Sequence, residues 1–356
     1  MRLSIINLLL IAAMCSCSPN GDDDFRHIEC NGVYYWKTIL EPGSPDHGFM
    51  DRHGVGRIYL RMFDVTAEEK SYCSPIENVV PNASLRIVDA DGRCRANAID
   101  SKLIVPVVYV TLDALKASKG HEGLLAERIV ERVRRMCAYN DLKGVEGLQL
   151  DCDWTASTEP SFFALCDSAR TQIARKELQW TLSSTIRLHQ LAREAPPVDY
   201  GVLMVYNTGN FSDPDARNSI ISIDDVRPYL KHLAGYPLHL DVAYPTYSWQ
   251  LLFRSRRFVG LLNGVNVADS THFAPQGGNS HRALCDVIHR GTIIRRNDVV
   301  RTETATFGEL SEVKAAIERA LDGRRHCNIL YHLDMHNLSK YTDYEIRNIY
   351  STIQRD

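Results

Sequence analysis

At 356 residues the chain has room for one large α/β barrel or two ordinary domains. A composition 44% hydrophobic and 24% charged is that of a globular protein with a sizeable core. A net charge of −3 gives no electrostatic basis for a nucleic-acid partner, and none is expected.

The chain opens with Met1-Arg2, an apolar run over 5–13 broken by Asn7, and then Met14-Cys15-Ser16-Cys17-Ser18. A run this short, ending in small residues and Cys, reads as a secretory signal rather than a membrane span. The small Ser16 before Cys17 points to lipoprotein processing, with residues 1–17 as the signal peptide and Cys17 lipidated; a plain signal peptide that happens to contain Cys is the alternative. Residues 18–29, with Asp22-Asp23-Asp24, form an acidic tether. Such acidic runs resemble the export tags that send Gram-negative lipoproteins to the outer face of the outer membrane. The resemblance implies a lipid-anchored, surface-exposed protein whose membrane contact runs through that anchor.

Strand-like runs follow at intervals suited to a βα repeat: 33–39, 57–65, 103–111, 147–154, 178–186, 201–206, 238–244 and 328–333. Helical stripes fall between several of them. Leu125, Ile129, Val133 and Met136 make one, Phe162 to Ile173 another, 224–233 a third, and Leu310, Val313, Ile317 and Leu321 a fourth, stopped by Gly323. Eight such strands predict a (β/α)8 TIM-type barrel as a single domain over 30–356. Insertions are expected after strand two, where residues 66–100 with the strand-like run 84–88 read as a hairpin insertion, and after strand seven over 254–306, where Gly291 to Val300 reads as extra β structure.

Eight cysteines follow the signal: Cys30, Cys73, Cys94, Cys137, Cys152, Cys166, Cys285 and Cys327. Outside the cytoplasm pairing is open to some of them. Cys137, Cys152 and Cys166 fall on apolar faces, where a thiol behaves as a small hydrophobe. No Cys/His spacing suggests zinc, and neither a metal nor another cofactor is expected.

The stretch Gly147 to Trp154, GLQLDCDW, is the most informative. Leu148, Leu150, Cys152 and Trp154 alternate with Gln149, Asp151 and Asp153, so the apolar set covers the outside of a barrel and the polar set climbs its interior to the mouth. Two carboxylates about 7 Å apart on one strand raise each other's cost of ionising, as a general acid beside a charged partner requires. The alternative is structural: Asp153 caps a loop while Asp151 pairs with an interior Arg.

The run Glu146-Gly147-Leu148-Gln149-Leu150-Asp151-Cys152-Asp153 resembles the fourth-strand signature of the chitinase-like family 18 glycoside hydrolases, Asp-Gly-x-Asp-x-Asp-Trp-Glu. In register, Gln149 stands for the first inner Asp, Asp151 for the second and Asp153 for the proton-donating Glu. Leu203-Met204-Val205-Tyr206-Asn207 is similar to that family's sixth-strand Met-x-Tyr-Asp, with Asn207 for Asp. Over residues 30–350 the chain also resembles a group of bacterial lipoproteins carrying YYWK, FDV, LDxD and YHLD runs. These resemblances imply a surface glycoside hydrolase, with Asp153 as proton donor, Asp151 as its electrostatic partner and a glycan as substrate. Gln149, Arg187, Tyr206, Asn207, Tyr247, Trp249 and Asp334 are then expected to contact the sugar. Tyr247 and Trp249 fit stacking on sugar C–H faces or packing under the second insertion.

An acid on another strand would flank a glycosidic bond better, and Asp64, Asp113 and Asp334 follow strand-like runs. Arg61 is an inward cation in strand two, with Asp64 facing away unless the strand breaks between them. Two rival functions remain. One is a carbohydrate-binding barrel in which the acids only hydrogen-bond hydroxyls. The other is a metal-dependent hydrolase using His332 and Asp334, with His336 on the same face or in the following loop.

Overall fold

The computed structural model describes residues 29–41, 44–68, 74–88 and 99–352. The expected signal peptide, Cys17, almost all of the acidic tether, Cys73 and Cys94 lie outside the described residues. No helix among the described residues is long and apolar enough to cross a membrane.

Eight parallel strands close into a barrel: β1 (Asn31–Tyr35), β2 (Val55–Ala67), β3 (Leu103–Val110), β4 (Gly147–Asp151), β5 (Thr181–Arg187), β6 (Tyr200–Met204), β7 (Leu240–Pro245) and β8 (Asn328–Tyr331). Closure is explicit, because β1 pairs with both β8 and β2. The (β/α)8 expectation holds. Strand one ends sooner than its run of apolar residues implies, at Tyr35, and strand five starts later, at Thr181. The helices α1 (Glu122–Tyr139), α2 (Glu159–Arg175) and α3 (Phe307–Ala320) bury the predicted stripes on the barrel's outside. The segment expected as one helix over 224–233 is a single α turn, Ile223–Val226, running into a 3₁₀ helix that accommodates Pro228 near its start.

Both insertions are present with different pairings. After β2, residues Val79–Asn82 run antiparallel to β2 itself, while Arg86–Ile87 pair with Ile39–Leu40. The hairpin insertion expected over 66–100 is thus made with β2 itself, and the 84–88 run contributes only the short pairing of Arg86–Ile87. After β7 the chain builds a five-stranded antiparallel sheet from Ser248–Arg254, Arg257–Leu262, Phe273–Gly277, Ser280–Ala283 and Val299–Thr304, larger than the single element expected. A small hairpin of Val287–His289 and Thr292–Ile294 accompanies it.

Side chains alternate as the pleat requires. Tyr34, Tyr59, Val105, Val107, Tyr200, Val202, Met204, Ala243 and Ile329 fill the barrel interior. On β4, Leu148 and Leu150 join the larger core outside. Gly147 sets how closely β4 approaches β5: an added Cβ would lie 2.6 Å from Thr181 Oγ1 and 2.7 Å from the Thr181 carbonyl oxygen. Gly147→Ala is expected to cost about 1–3 kcal/mol through overpacking, read as a lower urea midpoint at unchanged slope.

Candidate active site

Register builds the site. Gln149 lies beside Ser183 across β4 and β5, and the same register sets Asp151 beside Thr185 and Asp153 beside Arg187. Each pair is joined. Gln149 Nε2 donates to Ser183 Oγ at 3.3 Å, Thr185 Oγ1 donates to Asp151 Oδ1 at 2.6 Å, and Arg187 Nε donates to Asp153 Oδ1. The lowest rung is sealed. Gln149 is fully buried and also accepts from the Tyr34 hydroxyl at 2.7 Å. The residue expected to contact ligand thus lies two rungs below Asp153 at the rim, closed in by Tyr34 and Ser183.

Arg187 dominates the upper two rungs. Its guanidinium donates from Nε to Asp153, from one terminal nitrogen to Asp151 Oδ1 at 3.0 Å, and from the other to the Tyr206 hydroxyl at 3.0 Å. One planar fork thus serves three acceptors. Asp151 is buried, whereas the Asp153 side chain is 45% exposed at the rim. Burial pushes the Asp151 carboxyl above its ordinary range; Arg187 opposes that shift, and the Asp153 charge adds to it. Tyr109 donates its hydroxyl to Asp153 Oδ2 at 3.4 Å.

From Tyr206 the site continues into a groove of about 660 Å³ between the barrel mouth and the inserted sheet. Trp36, Tyr206, Tyr247, Trp249 and Tyr331 supply its aromatic wall, with Asn207, His332, Asp334 and Lys340 among its polar groups. The Tyr206 and Tyr331 rings stack at 4.3 Å. Tyr247 donates to Asn207 Oδ1, and Trp249 Nε1 donates to Glu303 at 2.7 Å. Asn207 takes a positive φ of 51°, which an Asn tolerates better than most residues. Tyr247 and Trp249 both line the groove, Trp249 from the first strand of the inserted sheet. Lys340 Nζ donates to Ser248 Oγ and Thr304 Oγ1 across the groove, and burial pulls its pKa down to about 8. A larger cavity, about 930 Å³, lies on the outer wall between β2 and α1, away from both carboxylates.

The other acids do not flank Asp153. A register shift in β2 between Arg61 and Phe63 brings Asp64 round to Arg61, whose Nε donates to it at 2.9 Å. Asp113 is exposed on a short helix beside Lys116. Asp334 caps the turn Met335–Leu338, accepting from the His336 and Asn337 backbone N–H groups, and borders the groove. Among the described residues no three His, Cys, Asp or Glu side chains converge as a metal would need. Trp36 and Tyr331 were not expected in the site. Their signal is the same alternation, since Trp36 continues the inward face of Tyr34 and Tyr331 that of Ile329.

No family model matches the sequence, and no curated protein sequence matches it. Solved structures match in fold. A chitinase from Chromobacterium violaceum aligns with TM-score 0.54 at 12% identity, covering 90% of this chain and 98% of that one. Catalytic domain 2 of a Group II chitinase from Ostrinia furnacalis, a variant in complex with penta-N-acetylchitooctaose, aligns at 0.52 and 12%, covering 91% and 96%. The spore cortex-lytic enzyme SleL of Bacillus cereus aligns at 0.51 and 9%, covering 90% and 73%. At these identities the likeness is one of fold: the chain shares the TIM barrel of these enzymes.

Proposed function

We propose that this protein is a lipoprotein, anchored through Cys17 at the cell surface, that binds a glycan in the aromatic groove of its barrel and holds it without cleavage. The observation that carries this reading is the Arg187 fork. Both Asp153 oxygens accept hydrogen bonds, one from Arg187 and one from Tyr109, whereas a proton donor must present a hydrogen of its own to the leaving oxygen. Asp153 also reaches about 1.5 Å less far than a Glu at that position. Asp151 shares its strand instead of standing across a bond from it. Tyr206, Tyr247 and Trp249 offer apolar faces to sugar rings, with Asn207 and Asp334 as hydroxyl partners. The fold likeness to two chitinases, one of them in complex with a chito-oligosaccharide, makes N-acetylglucosamine oligomers the first ligands to try.

Hydrolysis is the second reading, with Asp153 as proton donor and Asp151 as its electrostatic partner. It is favoured by the rim exposure of Asp153 and the raised Asp151 carboxyl. One experiment separates the two: calorimetric titration and product analysis with an oligosaccharide panel, on wild type and Asp153→Asn. Saturable binding with no product from either protein supports the binding reading. Product from wild type that falls by roughly a hundredfold or more in Asp153→Asn supports hydrolysis and overturns the first reading.

A further inference from the structure

We propose that Cys30 and Cys327 form a disulfide that staples the first barrel strand to the last at the barrel floor. The argument begins with register. In the parallel pair β1–β8, Gly32 lies beside Ile329 and Val33 beside Leu330. Carried two residues toward the N-terminal end, the same register sets Cys30 directly beside Cys327. Neighbouring strands lie about 4.8 Å apart, inside the window of roughly 4.4–6.8 Å between Cα atoms that a disulfide spans.

Side-chain direction agrees. Tyr34 and Ile329 both belong to the interior cluster, so Cys30 and Cys327, an even number of residues away from each, turn to that interior too. The Cys30 backbone N–H already donates to Cys327 Sγ at 3.3 Å, which brings that sulfur to the Cys30 backbone. Both thiols also lie in the field of Arg57 and Asp241, as expected for two groups sharing one corner of the floor. The Cys30 side chain lies against Gly56 of β2, where an added Cβ would meet its Cβ at 2.9 Å and its Sγ at 3.2 Å, so the thiol turns away from β2 to join Cys327. The other described cysteines are placed differently: Cys137, Cys152 and Cys166 are buried as the apolar pattern implies, and Cys285 is exposed on the inserted region.

The pair lies 297 positions apart in sequence, so one bond would enclose β1 to β7 and the inserted sheet, with β8 beginning at the next residue. Chemically, each thiol releases a proton and the two together give up two electrons. The acceptor is the disulfide of a dithiol oxidant, which leaves as two thiols. Formation in the cell rests on the exported location proposed above and not on the glycan reading. The staple would sit where the tether enters the barrel, so load on the lipid anchor would reach the fold at a cross-linked strand.

The test is peptide mapping without reduction, after full-length protein is equilibrated with oxidised glutathione and remaining thiols are alkylated. A linked peptide pair containing Cys30 and Cys327 is expected. Cys30→Ser, Cys327→Ser and the double variant should each lower Tm by roughly 5 °C under oxidising conditions, equally and non-additively, and match wild type in dithiothreitol. Alkylation of both thiols after oxidation, or linkage of either to another cysteine, overturns the proposal. Protein taken directly from host membranes reads the compartment separately. A pair that is reduced there but joins in glutathione supports the pairing and counts against the exported location.

Discussion

Replacing Arg187 with methionine is expected to destabilise the fold by about 3–5 kcal/mol at pH 7, and by clearly less near pH 4. The guanidinium is the cation bonded to both Asp151 and Asp153. Methionine fills much of the same volume without a charge, so the loss reflects a buried carboxylate left behind and not a cavity. The sign follows from Asp151, whose carboxyl is already raised by burial despite Arg187. Without that cation its folded-state pKa climbs further above the unfolded value of about 3.9. Folded protein then binds a proton more tightly than unfolded protein, so stability is fully present below pH 4 and is lost as pH rises through the folded value. Urea unfolding of both proteins at three pH values from 4 to 7 measures it. A penalty that does not change with pH would mean that Asp151 is not the group Arg187 compensates. Arg187→Lys should recover only part of the loss, because a point charge cannot meet Asp151, Asp153 and Tyr206 from one plane.

That triad also marks how much of the protein was legible in its sequence. The eight strands were readable because each is a run of β-formers between turn residues, and the inward facing of Gln149, Asp151 and Asp153 because alternation within one strand is local. Of the partners, an inward Arg187 pairing with Asp151 was within reach of the same alternation, because Thr181, Ser183, Thr185 and Arg187 share a face; its second bond, to Asp153, was not. That Arg187 would close on both acids depends on the register between β4 and β5, which no local period records. Asp64 shows the same limit from another side: a one-residue irregularity between Arg61 and Phe63 turns an outward residue into an ion-pair partner. Gln149 was expected to touch ligand because its face was known but its height in the barrel was not. The inserted sheet was underestimated because the partners of its strands lie up to 56 residues away, as Ser248 and Thr304 do. Cys30 and Cys327, from opposite ends of the domain, are the extreme case.

Trp154→Ala should be equally costly, about 3–5 kcal/mol, and should weaken glycan binding roughly tenfold or more although Trp154 never faces the groove. Its ring is fully buried outside the barrel, 6.1 Å from Phe162 and 5.6 Å from Phe163 of α2. Its backbone is tied to the site. Buried Gln190 donates from Nε2 to the Trp154 carbonyl at 2.9 Å, and accepts from the Arg187 backbone N–H at 2.8 Å. One amide thus clamps the ends of β4 and β5 together just past the Asp153–Arg187 rung. Removing the indole frees the segment that holds Asp153, and a displacement near 1 Å suffices to spoil a positioned site. Trp154→Phe keeps an aromatic against α2 and should restore most of both losses. If Trp154→Ala lowers the unfolding midpoint yet binds glycan as tightly as wild type below that midpoint, the outer packing sets only stability, and the Arg187 fork orients Asp153 by itself.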